Sequence, residues 1–367
     1  MFTRRKLPVS ILLTLVLALL ATASVSAQAT ENIGGSVVFR DANAANDSIV
    51  ISFSAQEDPK KDHPGVGVPR LPEGSAYEGW LISSSGDKIS VGILLRSGTA
   101  DIEHTYVSPT GEDLLASYSR FAVSIEPVPD PDPETPGPIA YSDAIPLKAF
   151  VHVGHLVVSL GSNPDGKGIA TGLREQMDVA RIHAKLAIDS STFAKKQQHS
   201  QHVVNIIEGS GGANYDSSVG DPGDGNGVLN YAADTVKHAN LAKNAAPGDD
   251  TVEDGADDAI DAANDVIDKA GRARDAALVV VNRASDDFRV GVELGNALSL
   301  TTLGLTDSET AYIASQDIAL LEGLAGEAPP DVGDALVPTV ALAMLVAGIL
   351  LTGGGGLLVF RRRRATA

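Results

Sequence analysis

The sequence predicts a multidomain β + α protein: an antiparallel β-sandwich followed by an all-α helical bundle, with an N-terminal signal peptide and a C-terminal transmembrane helix. Three observations predict it. Residues 33–160 string together short β-branched runs broken by Gly, Pro and Asp turns, the spacing of a sandwich. Residues 170–325 change to an Ala-rich helical period with short connections, the pattern of a bundle. Both ends of the chain are apolar and flanked by basic residues.

Residues 1–27 carry Arg4, Arg5 and Lys6, then an apolar run from Ile11 to Leu20, then small residues up to Ala27. That order is the n-region, h-region and cleavage stretch of a secretory signal. The first strands are expected at Gly35 to Arg40, Ser48 to Phe53, Ser75 to Ile82 and Ile89 to Leu94. Further strands are expected at His104 to Val107, Phe121 to Ile125 and His152 to Leu160. Helices are expected at Leu173 to Ile188, at Ser191 to Glu208 with Asp189 or Ser190 as cap, and at Val228 to Lys243. Thr251 to Lys269, with Val252, Ala256, Ile260, Ala263 and Ile267 on one stripe, Ala273 to Leu298 and Ser308 to Leu324 complete the set. Residues 326–336, with Pro329 and Pro330, read as a stalk. Residues 337–360 carry no charge and can span a bilayer core of about 30 Å. Residues 361–367 begin with four arginines and read as a cytoplasmic tail. The helix and arginines are also similar to bacterial surface-sorting tails, in which the helix is removed.

The chain has 47 Asp and Glu against 28 Lys and Arg, a net charge of −19. None of the acidic residues lies in either apolar end, so the middle is more acidic than the whole. Such a surface repels nucleic acid and anionic lipid, and its ligands are expected to be cations or proteins. There is no cysteine, which excludes disulfides, thiolate metal sites and c-type haem attachment. Hydrolase, metalloprotease and nucleotide-binding motifs are absent, and an enzyme is not expected. Asn46-Asp47-Ser48 fits a glycosylation acceptor pattern, which is discounted in a chain of bacterial character.

Two stretches carry a resemblance. One is Leu71-Pro72-Glu73-Gly74-Ser75-Ala76-Tyr77-Glu78-Gly79-Trp80-Leu81-Ile82. The other is Phe121-Ala122-Val123-Ser124-Ile125-Glu126-Pro127, closing with Pro133 to Pro138. Together, over residues 33–150, they resemble the extracytoplasmic domain of anti-sigma-K factors. The resemblance implies a β-sandwich with a sensing or interaction role, exposed outside the membrane. It departs from the family where the signal peptide stands in place of a cytoplasmic sigma-binding domain, so contact with a sigma factor is not expected. The residues themselves read as structural: Tyr77 and Trp80 supply buried area to a chain with only 4% aromatics.

The histidines are the sharpest chemical signal. His199 and His202 lie at i, i+3 on one helix face, His183 lies on the helix before and His238 on the helix after. Packed helices could gather these four into a transition-metal or haem site, with Glu175 and Glu208 as carboxylate partners. His152 and His155 are set aside, because on a strand i and i+3 face opposite ways. The loop from Gly209 to Gly227 offers Asp216, Asp221, Asp224 and Asn226 as oxygen ligands for calcium, in a broken form of the usual spacing. The expected function is therefore a cell-membrane-anchored extracytoplasmic binding or sensing protein with a protein partner. The alternative is an envelope metal- or haem-binding redox protein.

Overall fold

The structure, a computed structural model, describes residues 34–54 and 68–326. The expected signal peptide, membrane helix and tail, and all of the stalk but Gly326, lie outside those residues. Among the described residues no helix is long and apolar enough to cross a membrane.

Among the described residues nine strands form two antiparallel sheets. The first holds β1 (Gly35–Arg40), β2 (Ser48–Phe53), β5 (Ile102–Val107) and β8 (Leu321–Glu322) in the order β5-β2-β1-β8. The second holds β3 (Ser75–Ser83), β4 (Lys88–Leu94), β6 (Tyr118–Pro127), β7 (Ile139–Ala144) and β9 (Ala325–Gly326) in the order β4-β3-β6-β7-β9. Val37, Phe39, Ile49, Ile51 and Phe53 stand two residues apart and are buried, as the pleat requires. Phe53 of the first sheet meets Phe121 of the second, ring centroids 6.3 Å apart, so the sheets share one core.

The two stretches that carry the family resemblance touch each other. The Trp80 indole N–H donates to Ser124 Oγ at 2.8 Å. The Ser124 hydroxyl donates to Glu126, whose carboxylate also takes the Gly137 N–H at 2.6 Å. A buried chain of bonds thus pins the Pro-rich loop to the central strands.

The helices follow β7, except for α1 (Leu114–Ser117), which precedes β6. They are α2 (Leu147–Val153), continued by a π-helical turn (Gly154–Val158), then α3 (Ile169–Asp189), α4 (Phe193–Glu208) and α5 (Val228–Ala245). Last come α6 (Asp250–Val281) and α7 (Phe288–Asp317). The segment around His152 is therefore helical, not the expected strand. Its four valines favour a strand, but Ala149, Val153, Leu156 and Val157 are the buried positions, and that spacing is helical. Thr192 caps α4 by accepting the Lys195 N–H, a task the sequence assigned to Asp189 or Ser190.

Three expected helices after residue 250 are two. Gly271 lies inside α6 without breaking it. The break falls instead at Asn282, the C-cap of α6, and at Asp287, which caps α7 by accepting the Val290 N–H. The buried stripe of α6 is Val252, Ala256, Ala259, Ala263, Val266, Ala270, Ala273 and Ala277, with Ile260 and Ile267 at its margin. Alanine at these positions lets α6 and α7 approach closely.

After α7 the chain returns to the sandwich. Leu321 and Glu322 pair with Val37 and Ser36, and Ala325 and Gly326 pair with Ser142 and Tyr141. These residues were expected at the end of the bundle and the start of the stalk. The helices are thus an excursion from the β-domain, which the last described residues close on both sheets. A polar seam joins the two parts. Asp41 accepts from the Tyr312 hydroxyl at 2.8 Å and from Gln316 at 3.0 Å, while Arg174 lies over the Tyr312 ring at 3.8 Å.

Candidate metal centre

Six of the chain's eight histidines gather in two sets of three. Within each set, one ring nitrogen from every member lies within 4.8 Å of those of the others. The first set is His183, His199 and His202; the second is His152, His155 and His238. The expected four-histidine site is thus divided. His183, His199 and His202 do meet, but His238 does not join them. It faces inward from α5 toward α2, because the helical turn that replaces the expected strand puts His152 and His155 on one face.

The first set sits between α3 and α4. Cap residue Thr192 starts α4 so that His199 and His202, one turn apart, both look at His183. The ring centroids stand 4.9–5.5 Å apart. His183 Nδ1 lies 3.3 Å from His199 Nδ1 and 3.2 Å from His202 Nδ1. Two nitrogens bound at about 2.0–2.1 Å to one tetrahedral Zn²⁺ stand about 3.3–3.4 Å apart, so the observed spacing matches an edge of that polyhedron. A proton on His183 Nδ1 can serve one of its two neighbours at a time; a cation serves all three.

A second contact fixes the chemistry of His202. Its Nε2 lies 2.8 Å from the Val219 carbonyl, which can only accept. Nε2 therefore carries the hydrogen, and in the neutral ring Nδ1 presents its lone pair to the cluster. Such a backbone partner is the usual outer support of a metal-binding imidazole. Burial pushes the His183 imidazole down to about 4, helped by its neighbours His202 and His199. His199 is lowered as well, first by burial and then by His202 and Lys195. Neutral imidazoles near pH 7 are the form that binds metal.

The second set lies where α2 passes into its π-helical turn and meets α5. Its ring centroids stand 5.1–5.8 Å apart with steep interplanar angles of 61–83°. The Nδ1 atoms of His152, His155 and His238 are all buried and have no hydrogen-bond partner among the described residues. Burial lowers His152, with His155 adding to it. Burial also lowers His238, reinforced by His155, His152 and Lys237 and opposed by Asp234. The signal that would have found this site is the buried spacing of residues 149, 153, 156 and 157, which makes the pair one-faced.

The other expected ligands are placed elsewhere. Glu175 pairs with Lys167 at 2.5 Å, and Glu208 holds the Asn214 amide N–H at 2.7 Å. In the Gly-rich loop, Asp216 accepts from Ser218, Asp221 from Gly223, and Asp224 from Asn226 and the Tyr231 hydroxyl. These are Asx-type turns that shape the loop. The Asn226 carbonyl takes the Asn230 side-chain amide. Gly209 and Gly227, both at positive φ, let the loop's two ends cross; a Cβ on Gly209 would lie 2.3 Å from the Asn226 carbonyl oxygen. Among the described residues the three-membered ligand groups include none of Asp216, Asp221 or Asp224. A third group, Glu78, Glu126 and Asp130, belongs to the brace of the Pro-rich loop.

Comparison with known proteins bears on the β-domain. The family model of anti-sigma-K factor rskA, C-terminal, matches residues 9–139. The match opens at Val9, two residues before the apolar run Ile11 to Leu20, and ends at Ile139, the first residue of β7. It covers both quoted stretches and stops before every residue of the two histidine sets. No curated protein matches the chain, and no solved structure does.

Proposed function

We propose that the protein is an extracytoplasmic, membrane-anchored metal-binding module. In it an anti-sigma-K-like sandwich presents a helical excursion that holds a divalent transition ion at His183, His199 and His202. The observation that carries this reading is the Nδ1 convergence at 3.2–3.3 Å, with His202 held by the Val219 carbonyl. Three imidazoles and no thiolate suit Zn²⁺, Cu²⁺ or Ni²⁺. Ring nitrogens this close leave no slot for a planar macrocycle between two of them, which favours a bare ion over haem. Three protein ligands also leave a position free for water or a partner's side chain, which fits sensing better than storage. The anchoring and the location rest on the apolar ends of the sequence. A sigma-factor contact is not part of the proposal.

The test is calorimetric titration of the purified, untagged full chain with Zn²⁺, beside the His199→Ala/His202→Ala variant. The variant is expected to lose one equivalent and to keep its far-ultraviolet circular dichroism. A variant that takes up zinc with unchanged stoichiometry and affinity would remove the assignment.

A further inference from the structure

We infer that His152, His155 and His238 form a second, separate metal site, weaker than the first, which fastens the segment leaving the sandwich to α5. The inference stands on its own residues and does not need the first site to be occupied.

Buried polar atoms are nearly always partnered, and each exception calls for an explanation. Here three exceptions coincide: the Nδ1 atoms of His152, His155 and His238 are all buried without a partner among the described residues. The rings that carry them are mutual neighbours with centroids 5.1–5.8 Å apart. Three separate accidents are a poor account of orphaned nitrogens on three neighbouring rings, each of which brings one ring nitrogen within 4.8 Å of the others. One cation bound by all three accounts for them together. No cysteine and no carboxylate belongs to the group, so the ligand set is purely imidazole and again suits a borderline divalent ion.

The local backbone is unusual in the same place. Gly154 ends the regular turns of α2, and Gly154–Val158 widens into a π-helical turn, a feature common at functional sites. His152 lies in the last turn of α2 and His155 in the wider one. Only two residues separate the end of β7 from the start of α2, so a cation here ties the continuation of the sandwich to the bundle.

The two sites differ in one respect that sets their order. His202 donates its outer N–H to a backbone carbonyl, whereas among the described residues no ring nitrogen of the second set makes a hydrogen bond. Losing an outer-shell partner of this kind typically costs 10–100-fold in metal affinity. The second site is therefore expected to fill after the first, with a dissociation constant about 10–100 times larger.

The experiment is equilibrium dialysis of the untagged full chain against graded free Zn²⁺, read by elemental analysis. Three proteins are compared: the natural chain, His152→Ala/His155→Ala, and His199→Ala/His202→Ala. The natural chain is expected to bind two equivalents in two steps. The first variant should lose only the weaker step, and the second only the tighter one. His238→Gln, which keeps most of the side-chain volume, should also lose only the weaker step, and it covers the case in which the double variant fails to fold. Unchanged binding in both His152→Ala/His155→Ala and His238→Gln would overturn the inference, as would a single step in the natural chain that survives in these variants. Loss of the weaker step there, with no effect of His199→Ala/His202→Ala, would leave the inference standing and remove the first site instead.

Discussion

Asn46 is the residue on which the union of sandwich and bundle most depends, and its replacement by alanine should be among the most damaging single changes. The side chain is fully buried. Its amide nitrogen donates to Asp113 Oδ2 at 3.1 Å and to the Val157 carbonyl at 3.3 Å, and its oxygen accepts from Gln316 at 2.8 Å. One side chain thus joins the β1–β2 turn to α1, to the π-helical turn and to α7. A hydrogen bond to a charged group contributes about 1.5–3 kcal/mol and a neutral one about 1 kcal/mol. The backbone at Asn46 has φ 52°, a conformation that asparagine tolerates and alanine adopts at a cost of roughly 1–2 kcal/mol. Gln316 keeps its bond to Asp41 and Asp113 keeps the Ala116 N–H, so part of the loss is recovered. The net expectation for Asn46→Ala is about 3–5 kcal/mol, a large share of a typical domain's stability. Asn46→Gly should be milder by about 0.5–1 kcal/mol, since glycine has no penalty at positive φ but loses more chain entropy. Urea unfolding of the full chain followed by circular dichroism measures both. Two variants within 1 kcal/mol of the natural chain would refute the reasoning. So would alanine proving milder than glycine. The same burial makes Asn46 unsuited as a glycan acceptor, whatever its sequence pattern.

Other predictions concern neighbouring features. Asp47 is buried too. Burial alone would raise its carboxyl, but the N–H groups of Ala42, Asn43 and Ala44 outweigh that and hold it below its ordinary value. Its contribution to stability should therefore be fully present above the unfolded carboxyl pKa of about 3.9 and fade as pH falls through the lower folded value. Asp47→Asn, which turns an amide donor toward those N–H groups, should cost about 2–4 kcal/mol at pH 7 in urea unfolding and flatten the acid limb. In Gly172→Ala the new methyl would lie 2.4 Å from the Tyr231 ring, so the α3–α5 contact must open; a loss of about 1–3 kcal/mol is expected in the same assay. Zinc at 100 times the dissociation constant of one site should raise stability by about 2.7 kcal/mol, seen as a higher melting temperature that chelator reverses.

Much of this molecule is legible in its residues. The strands from β1 to β6 follow from alternating apolar positions, and the Tyr77–Trp80 and Glu126–Pro127 stretches point to one domain because they are bonded to each other. α3, α4 and α5 are anticipated to within a few residues. What escapes is long-range. Nothing local says that Leu321 pairs with Val37, since a two-residue strand has no periodicity of its own. Valine-rich His152–Val158 reads as strand until its buried positions are seen to follow a helical spacing. The histidines stand out as candidate ligands by type and by helix face, but the neighbours of His238 depend on which helix packs against α5. The caps decided the last helices: Asn282 and Asp287 end and start them, while Gly271 does not.

The central claim is that three imidazoles hold one ion. Zinc-edge X-ray absorption on the untagged full chain, loaded with one equivalent and freed of unbound metal, tests it most directly. The account predicts a four-coordinate ion with nitrogen neighbours at about 2.0–2.1 Å and the outer-shell scattering of imidazole rings. An ion surrounded by oxygen alone, or a chain that retains no zinc, would contradict it.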